Sequence, residues 1–183
     1  MQDNQRQTHW AYIGGIMDAD GCFMITRHKR KTKRKNYPHK VDNWSWTYMA
    51  SVKVCMVEPE AIDLLYNDMQ LGTKTLDGAR KSRPNSRPIY QWGIRNRIGV
   101  KSFLENVIPY LRVKKKRAEF LLEYCNTASY VPHSGTSGYF GLTKDELVYR
   151  EESYQKMRKF NGRKVAAETK PSKRESVSDS PTL

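Results

Sequence analysis

Nine residues, Ile13–Gly21, reading IGGIMDADG, constrain this chain more than any other stretch. Upstream of them Thr8 can cap a helix, and Trp10, Tyr12, Ile13, Ile16 and Met17 recur at helical spacing. Two adjacent glycines inside that helix cost about 1 kcal/mol each relative to alanine, so a compensation is required. Close approach is the usual one: a strip without Cβ atoms lets a second helix pack almost in contact, from the same chain or from another copy. The run then ends on Asp18 and Asp20, at the end of the helix where the dipole disfavours anions. A divalent cation reverses that sign. Carboxylate oxygen and the free carbonyls of a helix end form a hard-oxygen donor set of the kind Mg²⁺ prefers, and Gly21 is expected to let the chain leave in a left-handed conformation. The plainer alternative is a structural helix with a solvated acidic end.

The remaining sequence alternates period-two and helical patterns. Cys22 to about Lys33 reads as a strand, and Trp44–Met56 (WSWTYMASVKVCM) as its partner across a loop holding Asn36, Pro38 and Asn43. A helix follows with Pro59 in its first turn, Ile62, Leu65, Tyr66 and Met69 on one stripe, and Gly72 as its stop. Strands Thr73 to Ala79 and Ile89 to Arg95 bracket the basic loop RKSRPNSR, and VKSFLENVIPYL and KKRAEFLLEYC are both helical by pattern. The predicted core is thus helix, hairpin, helix, hairpin, helix, helix, over residues 8–126. Residues 1–7 are a polar lead, and 127–160 hold a Gly/Ser/Pro-rich connector and one more amphipathic helix, with Leu147, Tyr154 and Met157 as its apolar set. Residues 161–183 lack apolar periodicity and read as a disordered tail. The acidic motif is not repeated in the chain.

At 183 residues with 38% hydrophobic content, one domain with a real core is expected. Lysine and arginine number 33 against 19 acids, a formal charge of +14, and such a field attracts polyanions, nucleic acid first. The other common polyanion, a membrane surface, is disfavoured: there is no long uncharged apolar run and no leader pattern in MQDNQRQTHW. Cys22, Cys55 and Cys125 are odd in number and scattered, which suits free thiols in a reducing intracellular setting, not a secreted one. His9, His28, His39 and His133 lack the paired spacing of a zinc site.

IGGIMDADG resembles the signature of the LAGLIDADG homing endonucleases in its small residues, its apolar positions, both acids and the final glycine. The resemblance extends from Thr8 to Asn126, and the family's α+β fold, αββαββα with an antiparallel DNA-binding sheet and helices packed on one face, has the order of the first seven of the eight elements derived above. A second segment, IPYLRVKKKRAEFLL, is similar to the family's passage from a Pro-containing helix end to its last core helix; by that register Lys114 is the catalytic lysine. The chain departs from the pattern near the end of the second strand. Many relatives carry a polar residue there, often glutamine, whereas Cys55, Met56 and Val57 stand here, so that contact is absent or supplied by Glu58.

The resemblance implies an endodeoxyribonuclease that makes a Mg²⁺-dependent double-strand break, with Mn²⁺ or Ca²⁺ able to substitute for binding. Asp20 and the Ala19 carbonyl would hold the metal. With one motif per chain and two strands to cut, a homodimer on a long pseudo-palindromic target is expected, with Tyr12, Gly14, Gly15 and Asp18 at the two-fold contact. Strand alternation assigns the DNA-reading face. Phe23 and Ile25 point to the core while Thr26, His28, Arg30 and Thr32 point outward; Val52 and Val54 are core while Thr47, Met49, Ser51 and Lys53 face out; Tyr90, Trp92 and Ile94 are core, Gln91 and Arg95 are not. Such a twisted ribbon fits the major groove. Residues from Arg27 to Lys35, Lys33 among them, and from Arg80 to Arg87, Arg83 among them, form basic hairpin tips suited to phosphates. Two other readings share the scaffold: an RNA maturase acting on its own intron RNA, and a DNA-binding regulator that does not cut.

Overall fold

The computed structural model describes residues 2–31, 44–77, 87–128 and 143–162. Along the chain, α1 (Gln2–Ala19) leads into β1 (Gly21–Lys31) and β2 (Trp44–Met56), then α2 (Pro59–Met69), β3 (Thr73–Asp77), β4 (Ile89–Ile94) and α3 (Arg97–Val107). A single 3-10 turn, Ile108–Tyr110, separates α3 from α4 (Lys115–Thr127), and α5 (Lys144–Phe160) follows. Among the described residues the four strands form one antiparallel sheet in the order β1-β2-β4-β3. The α+β order predicted from the sequence is the one observed.

One face of the sheet carries the core. Phe23, Ile25, Val52, Val54, Trp92 and Ile94 from the strands meet Ile13 and Met17 of α1, Ile62 and Leu65 of α2, Phe103 and Leu104 of α3, and Leu121 of α4. Trp92 anchors the layer: its ring lies 5.4 Å from that of Phe103, and its indole N–H donates to the Leu71 carbonyl at 3.0 Å, so the bulkiest buried side chain leaves no orphaned donor. The helices that begin with recognisable caps do so for the expected reasons. Asn96 accepts from the Gly99 N–H at the start of α3, and Thr143 accepts from the Glu146 N–H at the start of α5.

Several local expectations change. Helix α1 begins at Gln2 and passes straight through Thr8, so Thr8 is not its cap. Gly21 does not take a left-handed conformation; the only positive-φ glycines among the described residues are Gly72 and Gly162. Its requirement is steric, since a Cβ there would stand 2.5 Å from the Met17 carbonyl oxygen. Tyr66 is exposed, not part of the buried stripe of α2, and Tyr90 is only half-buried. Strand β4 ends at Ile94, one residue short of Arg95.

The long β1–β2 hairpin outruns the sheet. Strand β4 pairs only with Val52–Met56 of β2, while β1 and β2 stay in register out to Lys31 and Trp44. Beyond that overlap the hairpin is a two-stranded ribbon, and α5 packs against it.

Candidate active site at the end of helix α1

Two aspartates in one helical turn have opposite fates. The Asp18 carboxylate points back into the chain, where it accepts the backbone N–H groups of Arg112, Val113 and Lys114 at 2.7, 3.1 and 2.9 Å. These donors lie in the connector just before α4, so Asp18 ties the end of α1 to the entry of a helix more than ninety positions away in the sequence. Burial pushes its pKa up, but the three N–H donors and the Lys114 charge outweigh that and hold it below the ordinary carboxylate value. Asp20, two residues on, is exposed, and its carboxylate makes no hydrogen bond or ion pair among the described residues.

Lys114 closes the same corner. Its ammonium donates to the carbonyls of Met17, Ala19 and Gly21 at 3.2, 2.8 and 2.8 Å. A cation therefore does sit on the negative end of the α1 dipole, and it is supplied by the protein. Burial lowers the Lys114 pKa, with the Arg117 charge adding to it, against opposing contributions from Cys22, Asp20 and Asp18. The Ala19 carbonyl, expected as a metal ligand, is an acceptor for Lys114 in this arrangement.

The Asp20 carboxylate is a hard-oxygen donor of the kind a divalent cation takes, while the neighbouring main-chain oxygens of Met17, Ala19 and Gly21 are engaged by Lys114. No cluster of three or more His, Cys, Asp or Glu occurs among the described residues.

The face of the sheet away from the core gathers most of the outward residues named from the sequence. In register, Cys22 stands opposite Lys53, Met24 opposite Ser51, Thr26 opposite Met49, and His28 opposite Thr47. His28 and Arg95 are exposed; Thr26, Thr47, Met49, Lys53 and Gln91 are half-buried. Ser51 departs from the expectation of an open surface, being 5% exposed in the middle of the face. Arg30 is placed in β1 opposite Ser45. Thr32 and Lys33, and Arg80 and Arg83, lie outside the described residues. Gln91 is the Cα partner of Cys55, with the Cys55 Sγ 3.9 Å from its Oε1. A glutamine thus stands beside the end of β2, on β4, a proximity that only strand order reveals. Glu58 is exposed at the start of α2.

Arg27 was expected among phosphate-binding tip residues and does something else. It lies on the core-facing side of β1, where its guanidinium donates to both oxygens of Glu151 on α5 at 2.8 and 3.0 Å. The two-fold contact expected at the glycines also divides. Gly14 is buried inside the chain, where a Cβ would come within 2.8 Å of the Tyr110 Cβ and 2.9 Å of its carbonyl oxygen. Its close approach within the chain is to the 3-10 turn. A Cβ on Gly15 meets nothing within 4 Å, Tyr12 is 55% exposed, and Gly15 borders an open groove with Ala11, Asp18, Pro109, Tyr110 and Arg112.

No protein-family profile and no curated protein matches the sequence. Solved structures do match. The homing endonuclease I-CvuI, in complex with its target in the presence of 2 mM Ca, is 18% identical with a TM-score of 0.56, covering 85% of this chain and 83% of its own. The archaeal intron-encoded homing endonuclease I-Vdi141I, complexed with DNA, is 16% identical with a TM-score of 0.57 over 87% and 86%. The homing endonuclease I-TnaI is 13% identical with a TM-score of 0.54 over 84% and 95%. At these identities the likeness speaks for architecture, and it agrees with the motif at the end of α1: the chain has the fold of the LAGLIDADG homing endonucleases.

Proposed function

We propose that this chain is a site-specific DNA endonuclease that works as a homodimer and makes a Mg²⁺-dependent double-strand break in a long pseudo-palindromic target. The observation that carries the reading is the contrast between Asp18 and Asp20. One carboxylate is consumed in holding the corner together; the other is exposed and unpaired at the same helix end. Lys114 answers the helix dipole through the main-chain carbonyls, and the Asp20 carboxylate, with no hydrogen bond or ion pair of its own among the described residues, is the acid left open to a divalent cation.

Each element then has a task. Asp20 would hold the metal, joined by the Ala19 carbonyl once the Lys114 ammonium yields that oxygen, and the metal when bound would activate water and stabilise the leaving oxygen. Lys114 holds the helix end in place, and its charge beside Asp20 would stabilise negative charge developing on a phosphate bound there. The outward face of the sheet, from Thr26 and His28 across Thr47, Met49 and Lys53 to Gln91 and Arg95, would lie in the major groove and read base edges. One acidic helix end serves one strand, so two copies are needed for a double-strand break. The exposed Tyr12 and Gly15 strip is the part of α1 open to that second copy. The likeness to DNA-bound homing endonucleases supports the reading.

The test is incubation with a plasmid library of candidate sites, with and without Mg²⁺, followed by sequencing of the cut ends. Metal-dependent cleavage of both strands at a long, partly palindromic site is expected. Binding of structured intron RNA with no cleavage of any DNA would replace the endonuclease reading with that of a maturase.

A further inference from the structure

The outer part of the β1–β2 ribbon has a stabilising problem that the core does not solve. Past Val52, β2 has no third strand beside it among the described residues, and a two-stranded ribbon in water is marginal in stability and variable in twist. At the rung where Arg27 pairs with Tyr48, one carboxylate from α5 engages both strands. Glu151 accepts two hydrogen bonds from Arg27 and one from the Tyr48 hydroxyl at 2.5 Å, while Gln155 holds its other oxygen at 2.5 Å. The Arg27 guanidinium is sandwiched, 4.5 Å from the Trp46 ring centroid and 4.9 Å from that of Tyr154. At the end of α5, Asn161 donates to the Phe23 carbonyl at 3.0 Å, tying the helix to β1 a second time.

We propose that Glu151 is a positioning residue for DNA readout: through Arg27 and Tyr48 it makes α5 a strut that fixes the angle and twist of the reading ribbon. The inference rests on the DNA-binding reading above. Its geometric basis is that Arg27 and Tyr48 sit on one face of the rung while Thr26, Met49, His28 and Thr47 occupy the neighbouring positions on the other. Whatever sets the backbone here sets where those side chains reach. Arg27 is six residues beyond Gly21, about 20 Å along the strand at ~3.3 Å per residue. At ~3.4 Å per base step, the strut therefore governs base pairs about six or more steps from the acidic end, and not the central ones. A rigid ribbon selects sequence there because a base contact held in a single geometry discriminates, whereas a ribbon free to shift accommodates several bases.

The experiment compares the full chain with Glu151→Ala, Arg27→Met and the double variant, with Tyr48→Phe as the mildest change should the others fold poorly. Amide exchange of residues in β1 and β2 is measured on the free protein, and affinity on a panel of single-base target variants at several salt concentrations. Each variant should speed exchange in the outer ribbon while leaving β4 protected. Discrimination at outer base pairs should fall about five- to a hundredfold, the range of one good base contact. Central positions, nonspecific affinity and the rate of metal-dependent cleavage once bound should be unchanged, and the double variant should match either single one. If Arg27 is instead a phosphate contact, Arg27→Met alone flattens the log–log salt slope by about one, and the strut is wrong. Unchanged exchange in Glu151→Ala also overturns it. Altered exchange in a protein whose wild type prefers no DNA sequence leaves the strut standing as structure and overturns the DNA reading together with the positioning role.

Discussion

Gly14 and Gly15 are chemically the same residue and structurally opposites. Sequence spacing identified a helix that needs a strip without Cβ atoms, but it could not say that one glycine faces inward and the other outward, because that depends on where the 3-10 turn returns in space. Gly14→Ala should therefore destabilise the fold by about 1–3 kcal/mol, since the new methyl meets Tyr110 backbone that cannot move aside. Gly15→Ala should raise helix stability by about 0.5–1 kcal/mol in the same thermal or urea unfolding series. Gly15→Leu should be tolerated by the isolated fold yet lose dimerisation by sedimentation. Equal effects of alanine at both positions would refute the division. Lys114 carries a similar lesson. The dipole argument from the sequence called for a cation at the end of α1, and a cation is there, but it comes from the connector before α4. Lys114→Met should lower stability as well as cleavage, because three carbonyls lose a charged donor.

At the scale of elements, the acidic corner joins α1 to α4 and the outer strut joins α5 to the ribbon, and both joints use a carboxylate. The helices and strands themselves were legible because periodicity is local. The joints were not, since Asp18 meets backbone N–H groups around position 113 and Glu151 meets a strand more than a hundred residues earlier. Arg27 was misassigned for that reason: with no knowledge of α5, a basic residue near a basic tip reads as a phosphate ligand. A pH dependence follows from Asp18, whose native pKa lies below its ordinary value. Its contribution is fully present above the unfolded carboxylate pKa of about 4 and is lost as pH falls through that value toward the lower native one. Glu151 has the same sign, as hydrogen bonds from Tyr48, Gln155 and Arg27 outweigh the upward push of burial. Urea midpoints from pH 6 to pH 3 should fall, and Asp18→Asn should begin lower at pH 6 with its gap from wild type narrowing as pH falls. A gap that stays constant across that range would mean that the charge on Asp18 does not hold the corner.

Over the whole molecule, a formal charge of +14 is concentrated in a chain whose sheet face holds few acids, which favours a polyanion without naming it. A measurement of base readout would name it. Arg95, exposed one residue past the end of β4, should behave as a base reader: Arg95→Ala should cost roughly 1–3 kcal/mol on the correct site and relax preference at one position per half-site, with little loss on nonspecific DNA. Equal weakening on every sequence would make Arg95 a phosphate contact instead. The central claim, that the unpaired acid at the end of α1 is where cleavage happens, is tested most directly by Asp20→Asn. Cleavage of the preferred plasmid site in Mg²⁺ and gel-shift affinity for the same site in Ca²⁺ are measured side by side. The account predicts abolished cleavage with specific binding retained; undiminished cutting by Asp20→Asn would contradict it.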